Sequence, residues 1–256
     1  SRDAAPIGDG LRHAVPAQSA RQMPALRIGA DEQHDLDVRK HVKDSIPPER
    51  RTFLARRQIA TRRVDGLLIR PGETFSFNHV VGSCTRRKGY VEGMRLSNGD
   101  AEAGVGGGIC QLANLLHWMF LHASLTVVER SEHSFDPFPD KGRVLPWGVG
   151  CSIAYNYVDL VVRNDTDSTF QLRTWVDDRH LRGLLLADRA QPSSFSVEAR
   201  EERFFGYRGQ VFRANQIWRR VIDRHTGDTV GEELVKENCA LVKYHPQGVE
   251  ILEVVD

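Results

Sequence analysis

The chain has 256 residues, of which 40% are hydrophobic and 27% are charged, and its formal net charge is +1. This length suits one large domain, or one domain with a smaller appendage, and it allows a sizeable core without disulfide support. A net charge this close to zero excludes the strong overall field of many nucleic-acid-binding and membrane-surface proteins.

The four cysteines, Cys84, Cys110, Cys151 and Cys239, form neither a CxxC pair nor an evenly spaced framework. Their scatter predicts free thiols in a reducing compartment. The N-terminal stretch lacks the apolar segment of a signal peptide, and no apolar run approaches the length of a membrane span. We therefore predict a cytoplasmic location, no nucleic-acid partner and no membrane span. Processing from a longer precursor and the oligomeric state stay open.

The N-terminal residues 1–37 are poor in periodic apolar residues and rich in Ala, Pro, Gly and Gln, which indicates a loose or accessory segment. A core domain is predicted over residues 38–190. It opens with a basic stretch, in which a pair of prolines precedes a predicted helix that starts near Glu49. We interpret this stretch as a solvated helix face rather than a nucleic-acid contact, because few aromatic residues interleave with the charges.

The segment "DGLLIRPGETFSFN", residues 65–78, predicts two strands joined by a Pro-Gly turn. Further on, "GVGGGICQLANLLHWMFLHASL", residues 104–125, predicts a glycine loop that runs into a helix. The apolar positions of this helix recur at helical spacing, which predicts that they form its buried face. These positions are Leu112, Leu115, Leu116, Met119 and Phe120.

Alternating and β-branched residues follow, separated by Asp- and Asn-rich turns, and they predict an antiparallel meander. With one preceding segment they predict a single antiparallel sheet under the Cys110 helix, and therefore an α+β fold. The strands of this sheet are predicted at 125–135, 152–163, 169–176 and 181–187. Residues 191–256 predict a β-rich C-terminal extension.

Cys110 stands at the predicted junction of the glycine loop and the helix. Free backbone N–H groups and the positive end of the helix dipole stabilise a thiolate at such a position, so we expect the pKa of this thiol to be lowered. The glycines before it let a substrate backbone approach closely. Backbone N–H groups, or Gln111, are suited to hold the oxyanion of an acyl-transfer reaction.

A thiol nucleophile also needs a base, and His133 in "VVERSEHSF" is the predicted one. Asp159 lies in an otherwise apolar run, where a charge is costly unless it is paired. A His133–Asp159 pair would satisfy that charge and orient the imidazole. The predicted catalytic residues are therefore Cys110, His133 and Asp159.

Other interpretations of the same residues stay open. The glycine loop can be an anion-binding loop beside a buried Cys110, although it lacks the signatures of a P-loop and of a dinucleotide fingerprint. His133 can be a solvated turn residue, and Asp159 can face solvent from an edge strand. A zinc site that combines Cys110 with His117 and His122 is disfavoured, because the two histidines lie about 140° apart around the helix axis.

Four motifs occur in order: "RPGETFSFNHVVG", "GVGGGICQ", "VVERSEHSF" and "YVDLVVRNDTD". Together they resemble the VanW family, which is named for an accessory protein of B-type vancomycin-resistance clusters. The likeness covers about residues 57–176 and extends, through the stretch that contains "NCALVKY", to about residue 245. It implies a cell-wall context without a defined activity. The helix after Gln111 departs from the Ser/Thr-rich start of many members. The motif residues are Gly106, Gly107, Gly108, Cys110, Gln111, His133, Ser134, Asp159 and Asn164.

Two hypotheses of function follow. In the first, the chain is a hydrolase or acyltransferase in which Cys110 attacks an amide or ester of a peptide, cell-wall precursor or peptide-like metabolite. In the second, it is a non-catalytic binding module whose glycine loop and helix N-terminus recognise a carboxylate or phosphate. No cofactor and no metal are predicted. The predicted substrate-binding residues are Gly106, Gly107, Gly108, Gln111, Ser134 and Asn164.

Overall fold

A computed structural model describes residues 59–97, 100–132, 134–140, 145–177 and 181–253. Of these residues, 48% lie in strands and 14% in helices. The fold is therefore mostly β, and the predicted α+β class is wrong. The main reason is the C-terminal part of the chain, where three strands of 15, 14 and 14 residues follow one another.

The described residues hold three α-helices, one 3-10 helix and thirteen strands. The helices are α1 (59–64), α2 (Phe77–Val81), α3 (Cys110–Leu121) and the 3-10 helix Arg86–Lys88. The strands are β1 (Leu68–Ile69), β2 (Thr74–Ser76), β3 (Glu92–Ser97), β4 (Asp100–Val105), β5 (Thr126–Glu129), β6 (Phe135–Asp136), β7 (Val161–Arg163), β8 (Phe170–Val176), β9 (Leu181–Ala187), β10 (Ser193–Tyr207), β11 (Gln210–Asp223), β12 (Thr229–Val242) and β13 (Ile251–Glu253). None of the helices in this part of the chain is long and apolar enough to cross a membrane.

The strands form four sheets rather than the single predicted one. Their orders are β1-β8-β9, β2-β7-β5, β3-β4 and β13-β10-β11-β12-β6. The Pro-Gly turn of residues 65–78 separates two strands as predicted, but β1 pairs with β8 and β2 pairs with β7, so each enters a different sheet. The predicted helix start near Glu49 lies outside the described residues.

Helix α3 is enclosed by the sheets around it. Its predicted face, Leu112, Leu115, Leu116, Met119 and Phe120, is buried as expected. The opposite side is buried too, because its Trp118 and Leu121 pack with Ile217 of β11 in a second cluster. An apolar helix that is covered on both sides is a central element of the core rather than a surface helix.

Two predicted strands are shorter in the structure than in the sequence analysis. Residues 152–163 contain only β7, and 125–135 contain β5 and the first residue of β6. A tight turn is the reason in the first case, since Asn156 adopts a left-handed φ of 66° and Ala154 pairs with Val158 across the turn. Such a turn takes the chain out of the extended conformation that a ladder needs.

Arg213 on β11 connects the C-terminal sheet to the segment that follows β5. Its side chain is 2% exposed, and its Nη1 lies 3.2 Å from Oδ2 of the equally buried Asp136. It also bonds Asp140 and Glu202, and its guanidinium lies 4.8 Å from the ring centre of Trp147. β6 and β12 pair in parallel beside this cluster. The domain boundary at residue 190 stays a prediction.

We predict that Arg213→Met lowers the free energy of unfolding by about 3–5 kcal/mol, because it leaves the buried Asp136 without its cation. Urea unfolding, followed by circular dichroism, measures the loss. Arg173→Met is the matched control, since Arg173 pairs with Asp65 at the surface and such pairs contribute little. Equal losses in the two variants would contradict a special role for the Arg213 cluster.

Candidate functional site

A cavity of about 1040 Å³ lies at the start of α3. The glycine loop and Cys110 form part of its wall, together with Gln111 and Asn114 of the first turns of the helix. The remaining wall comes from residues after β5, from the turn near residue 154 and from β12 of the C-terminal sheet. Segments far apart in the sequence therefore meet around one thiol.

The structure brings together some of the predicted site residues and separates others. Gly106, Gly107, Gly108, Cys110 and Gln111 all line the cavity. Ser134 is exposed, and neither Asp159 nor Asn164 is among the lining residues. His133 lies outside the described residues, so its predicted contact with Cys110 stays a prediction.

The three glycines have different structural reasons. A Cβ on Gly106 would lie 2.4 Å from Cβ of Cys84, and one on Gly107 would lie 2.1 Å from the carbonyl oxygen of Gly93. These two glycines therefore allow close packing of the loop against its neighbours. Gly108 has a φ of +88° and open space where its side chain would be. Of the three, Gly108 alone leaves room at the cavity itself.

Cys110 is the first residue of α3, as predicted, and its own N–H makes no backbone hydrogen bond within the described part of the chain. The N–H of Gln111 is already bonded to the carbonyl of Gly108 at 3.2 Å. Among the described residues the N–H groups of Gly108 and Cys110 make no backbone hydrogen bond, and that of Cys110 faces its own thiol. This arrangement follows from the unsatisfied donors at the start of a helix.

Burial raises the pKa of the Cys110 thiol above its usual value of 9.0, and the N–H dipoles of Ile153 and of Cys110 itself only partly oppose that effect. The predicted lowering of this pKa is therefore wrong. A helix terminus stabilises a thiolate, but removal of the charge from water costs more here. The thiol is protonated at neutral pH in the empty cavity, and it needs a base to become a nucleophile.

The other cysteines differ in accessibility. All four are free thiols. Burial raises the pKa of Cys151 to about 12, and it also raises the pKa of Cys84, which shares the cavity with Cys110. Cys239 on β12 is exposed, and it also lines the cavity.

The carboxylate of Asp159 accepts hydrogen bonds that join two segments of the chain. Its carboxylate accepts hydrogen bonds from Ser76 Oγ at 2.5 Å, from Asn78 N at 2.8 Å and from Leu160 N at 2.8 Å. The acceptor atoms are thus used to hold the start of α2 against the end of the turn before β7. The charge is satisfied by donors rather than by an imidazole among the described residues, as carboxylates beside helix N-termini often are.

Asn164 likewise has a structural task. It is fully buried, its Nδ2 donates to the carbonyls of Ile69 and Ser168, and its Oδ1 accepts from Thr166. All of these partners lie in the turn between β7 and β8 or on β1. Side-chain bonds of this kind replace the missing ladder bonds of a turn.

Arg130 is a cavity residue that the sequence analysis missed. Its Nε and Nη2 donate to the carbonyl of Gly150 at 3.0 and 2.7 Å, and Nη2 also bonds the carbonyl of Gly148. Its Nη1 is buried and makes no hydrogen bond among the described residues, none of whose carboxylates pairs with Arg130, although the guanidinium also interacts with the thiol of Cys151. The sequence signal that points to it is its place inside the motif "ERSEHS", which also contains His133.

The zinc interpretation gains no support from the described residues, which contain no group of three potential ligands. Nδ1 of His117 lies 2.8 Å from the carbonyl oxygen of Val149, and Nδ1 of His122 lies 2.9 Å from that of Trp118. Burial, followed by the charge of Arg130, lowers the pKa of His117 to about 4. His117 is therefore a neutral core histidine at physiological pH.

The part of the chain that surrounds this cavity is similar to known proteins. A family model described as "VanW like protein" matches residues 56–186. The chain is 33% identical over 211 residues to the vancomycin B-type resistance protein VanW of Enterococcus faecalis, which covers 82% of this chain and 76% of that protein. The similarity to this relative thus covers more of the chain than the family model matches.

A second relative is the uncharacterized protein YoaR of Bacillus subtilis. It is 39% identical over 93 residues, which amounts to 35% of this chain and 31% of YoaR. This chain therefore spans about a third of YoaR. No solved structure matches.

We predict that Gly107→Ala destabilises the protein by about 3 kcal/mol, because the new methyl group would displace the β3–β4 hairpin. Gly108→Ala should cost only about 1–2 kcal/mol, the strain of a left-handed φ in open space. Urea unfolding of both variants gives the comparison. A larger loss for Gly108→Ala would contradict the packing described for Gly107.

Asp159→Asn should lower the free energy of unfolding by about 1–3 kcal/mol, since an amide has one acceptor oxygen for three donors. The rate at which Cys110 reacts with iodoacetamide should stay unchanged in the folded variant. The matched control is Asp165→Asn, an exposed carboxylate that pairs with Arg163, and it should leave stability nearly unaltered. A slower Cys110 in the Asp159 variant would instead support the original orienting role.

Proposed function

This chain belongs to the VanW-like family, and from that premise we propose that it carries out acyl transfer or hydrolysis through Cys110 on a peptide-like substrate that bears a carboxylate. The observation that carries the proposal is the pairing of two groups in one cavity. The Cys110 thiol lies at the N-terminus of α3, and the guanidinium of Arg130 has a free donor in the same cavity.

The charge of Arg130 favours an anionic ligand. Two backbone carbonyls hold its guanidinium but cannot neutralise it. Arg130 is half-buried, and its buried Nη1 has no hydrogen-bond partner among the described residues, so a ligand carboxylate that reaches Nη1 would satisfy this donor. Arginine also matches the geometry of a carboxylate better than lysine does.

The chemical step starts from a neutral thiol, because burial raises its pKa. A base, for which we propose His133, removes the thiol proton as Sγ attacks the carbonyl carbon of the scissile amide or ester. The N–H of Cys110 donates to the developing oxyanion. The proton then passes to the leaving amine or alcohol, and the bond to it breaks. Water or an acceptor amine resolves the thioester and returns the thiol.

The relative from Enterococcus is named for resistance to vancomycin. On that likeness we propose a cell-wall peptide or its precursor as the substrate for this chain. Such a peptide carries both features that the cavity favours, a terminal carboxylate for Arg130 and an amide carbonyl for Cys110. Asp159 takes no part in the proposal, since its carboxylate is occupied elsewhere.

A second candidate function is a binding module without turnover. The raised pKa of Cys110 favours it, because an unreactive thiol is compatible with binding alone. In this case Arg130 and the helix N-terminus hold the carboxylate, and Cys110 is only a wall of the cavity. The two candidates share the ligand class and differ in the reactivity of one thiol.

The test compares alkylation of Cys110 by iodoacetate, which carries a carboxylate, with alkylation by neutral iodoacetamide, read residue by residue by mass spectrometry. We expect the ratio of the two rates at Cys110 to exceed that of free glutathione about tenfold, because Arg130 concentrates the anionic reagent. Glutathione is the reference because Cys239, although exposed, lines the same cavity. Both rates at Cys110 should rise with pH through and above pH 9, since burial raises its pKa.

Three variants at two positions separate the carboxylate site from the thiol mechanism. Arg130→Met should abolish the preference for iodoacetate, while Arg130→Lys retains part of it. His133→Ala should slow both reagents at Cys110 and leave the preference intact. No preference for iodoacetate in the unsubstituted protein would rule out the carboxylate site. If Cys110 stays unlabelled, or if it is indifferent to His133, the thiol mechanism is wrong and the binding module remains.

A further inference from the structure

Asn238 of β12 is a buried amide in the wall of the Cys110 cavity. Asn238 is only 4% exposed, and its Oδ1 is buried without a hydrogen-bond partner among the described residues. It lies well beyond residues 56–186, where the family model matches. The cavity is therefore completed by a polar group that the C-terminal sheet contributes.

A chain of hydrogen bonds determines which end of this amide is free. Nδ2 of Asn215 lies 2.8 Å from the carbonyl oxygen of Trp147, and a carbonyl can only accept. Oδ1 of Asn215 must then be the atom that accepts from Nδ2 of Asn238, at 2.8 Å. A rotated amide at Asn238 would place two acceptors against each other. Its unpartnered atom is consequently an acceptor.

Asn238 lies next to the backbone that holds Arg130. A Cβ on Gly148 would lie 2.2 Å from Nδ2 of Asn238 and 3.1 Å from its Oδ1, so the amide sits directly against this glycine. The carbonyl of the same Gly148 accepts from Nη2 of Arg130. Arg130, which has an unpartnered Nη1, and Asn238, which has an unpartnered Oδ1, therefore both contact Gly148. Gln111 adds a second buried oxygen without a partner, its Oε1, to the cavity wall.

We infer that Asn238 accepts a hydrogen bond from an N–H of the ligand whose carboxylate binds Arg130, an inference that rests on the proposed function. The ligand class is then narrower than a carboxylic acid. It carries an N–H donor close to its carboxylate, as in the last amide of a peptide or the ammonium of an amino acid. An ester or simple acid of the same shape leaves Oδ1 unsatisfied, and for that reason it binds more weakly.

Two ligand pairs test the inference and distinguish the sources of the N–H. The first pair is N-acetyl-alanyl-alanine and its analogue with an ester oxygen in place of the N–H between the two alanines. The second pair is alanine and propionate. Dissociation constants are measured by calorimetry with the full chain carrying Cys110→Ala, which prevents turnover. In at least one of the two pairs, we expect the ligand with the N–H group to bind about 10- to 100-fold more tightly than the ligand without it.

The preference should disappear in Asn238→Leu, where both members of the pair bind equally. Asn114→Leu is the matched control, because Asn114 also lines the cavity but its Oδ1 already accepts from the N–H of Cys151. It should retain the preference. Arg130→Met should weaken the binding of every ligand alike. Thermal melting shows whether each variant folds. If Asn238→Leu does not fold, the comparison within each ligand pair still tests the inference, because it uses the protein with Asn238 intact.

Equal affinities within both pairs, with binding still dependent on Arg130, would overturn the role of Asn238 and leave the carboxylate site standing. Retention of the preference in Asn238→Leu would overturn it as well. If none of the four ligands binds to the protein with an intact Arg130, the proposed function and this inference both fail.

Discussion

Helix α3 packs between strand β9 on one side and strand β11 of the C-terminal sheet on the other, and this packing determines where the site lies. Leu115 and Met119 pack against Gly183 of β9, where a Cβ would lie 2.6 Å from Sδ of Met119. On the other side, Trp118 packs with Ile217 of β11. The sides of the helix are therefore buried in the core, and its N-terminal turn lines the cavity. The backbone donors that a helix leaves unpaired are at that turn.

The wall of the cavity contains buried polar atoms that have no hydrogen-bond partner among the described residues, and a protein core rarely tolerates such atoms. Arg130 has an unpaired donor, and Asn238 and Gln111 have unpaired acceptors. Protein interiors normally satisfy such groups, because each unmade hydrogen bond is costly. These three groups belong to the wall of the cavity that also contains Cys110.

The C-terminal sheet is necessary for this arrangement. Arg213 bonds Asp136 and contacts Trp147, and Asn215 bonds the carbonyl of Trp147. Both interactions hold Asp136 of β6 and Trp147, next to the turn at Gly148, against β11. That turn provides a carbonyl to Arg130. The position of the cationic group thus depends on strands that follow it by more than 80 residues in the chain.

Local features were predictable from the sequence alone because they depend on near neighbours. The start of α3 at Cys110, its buried face, the break between β1 and β2 and strands β8 and β9 all follow from periodicity and turn residues. The family resemblance was readable for the same reason, since its four motifs are continuous stretches. The strand estimate for residues 152–163 failed where a turn around Asn156 interrupted an otherwise suitable pattern.

Properties that depend on distant partners were decided only by the tertiary structure. The pKa of Cys110 is raised because residues remote in sequence remove it from water, whereas the sequence shows only its favourable helix terminus. Asp159 is occupied by donors 81 and 83 residues away. Arg130 and Asn238 became candidates only when their partners, or the lack of them, were visible. The sequence by itself determined the family, the glycine loop and the thiol, and folding determined their chemical environment, because desolvation and hydrogen bonding act through space rather than along the chain.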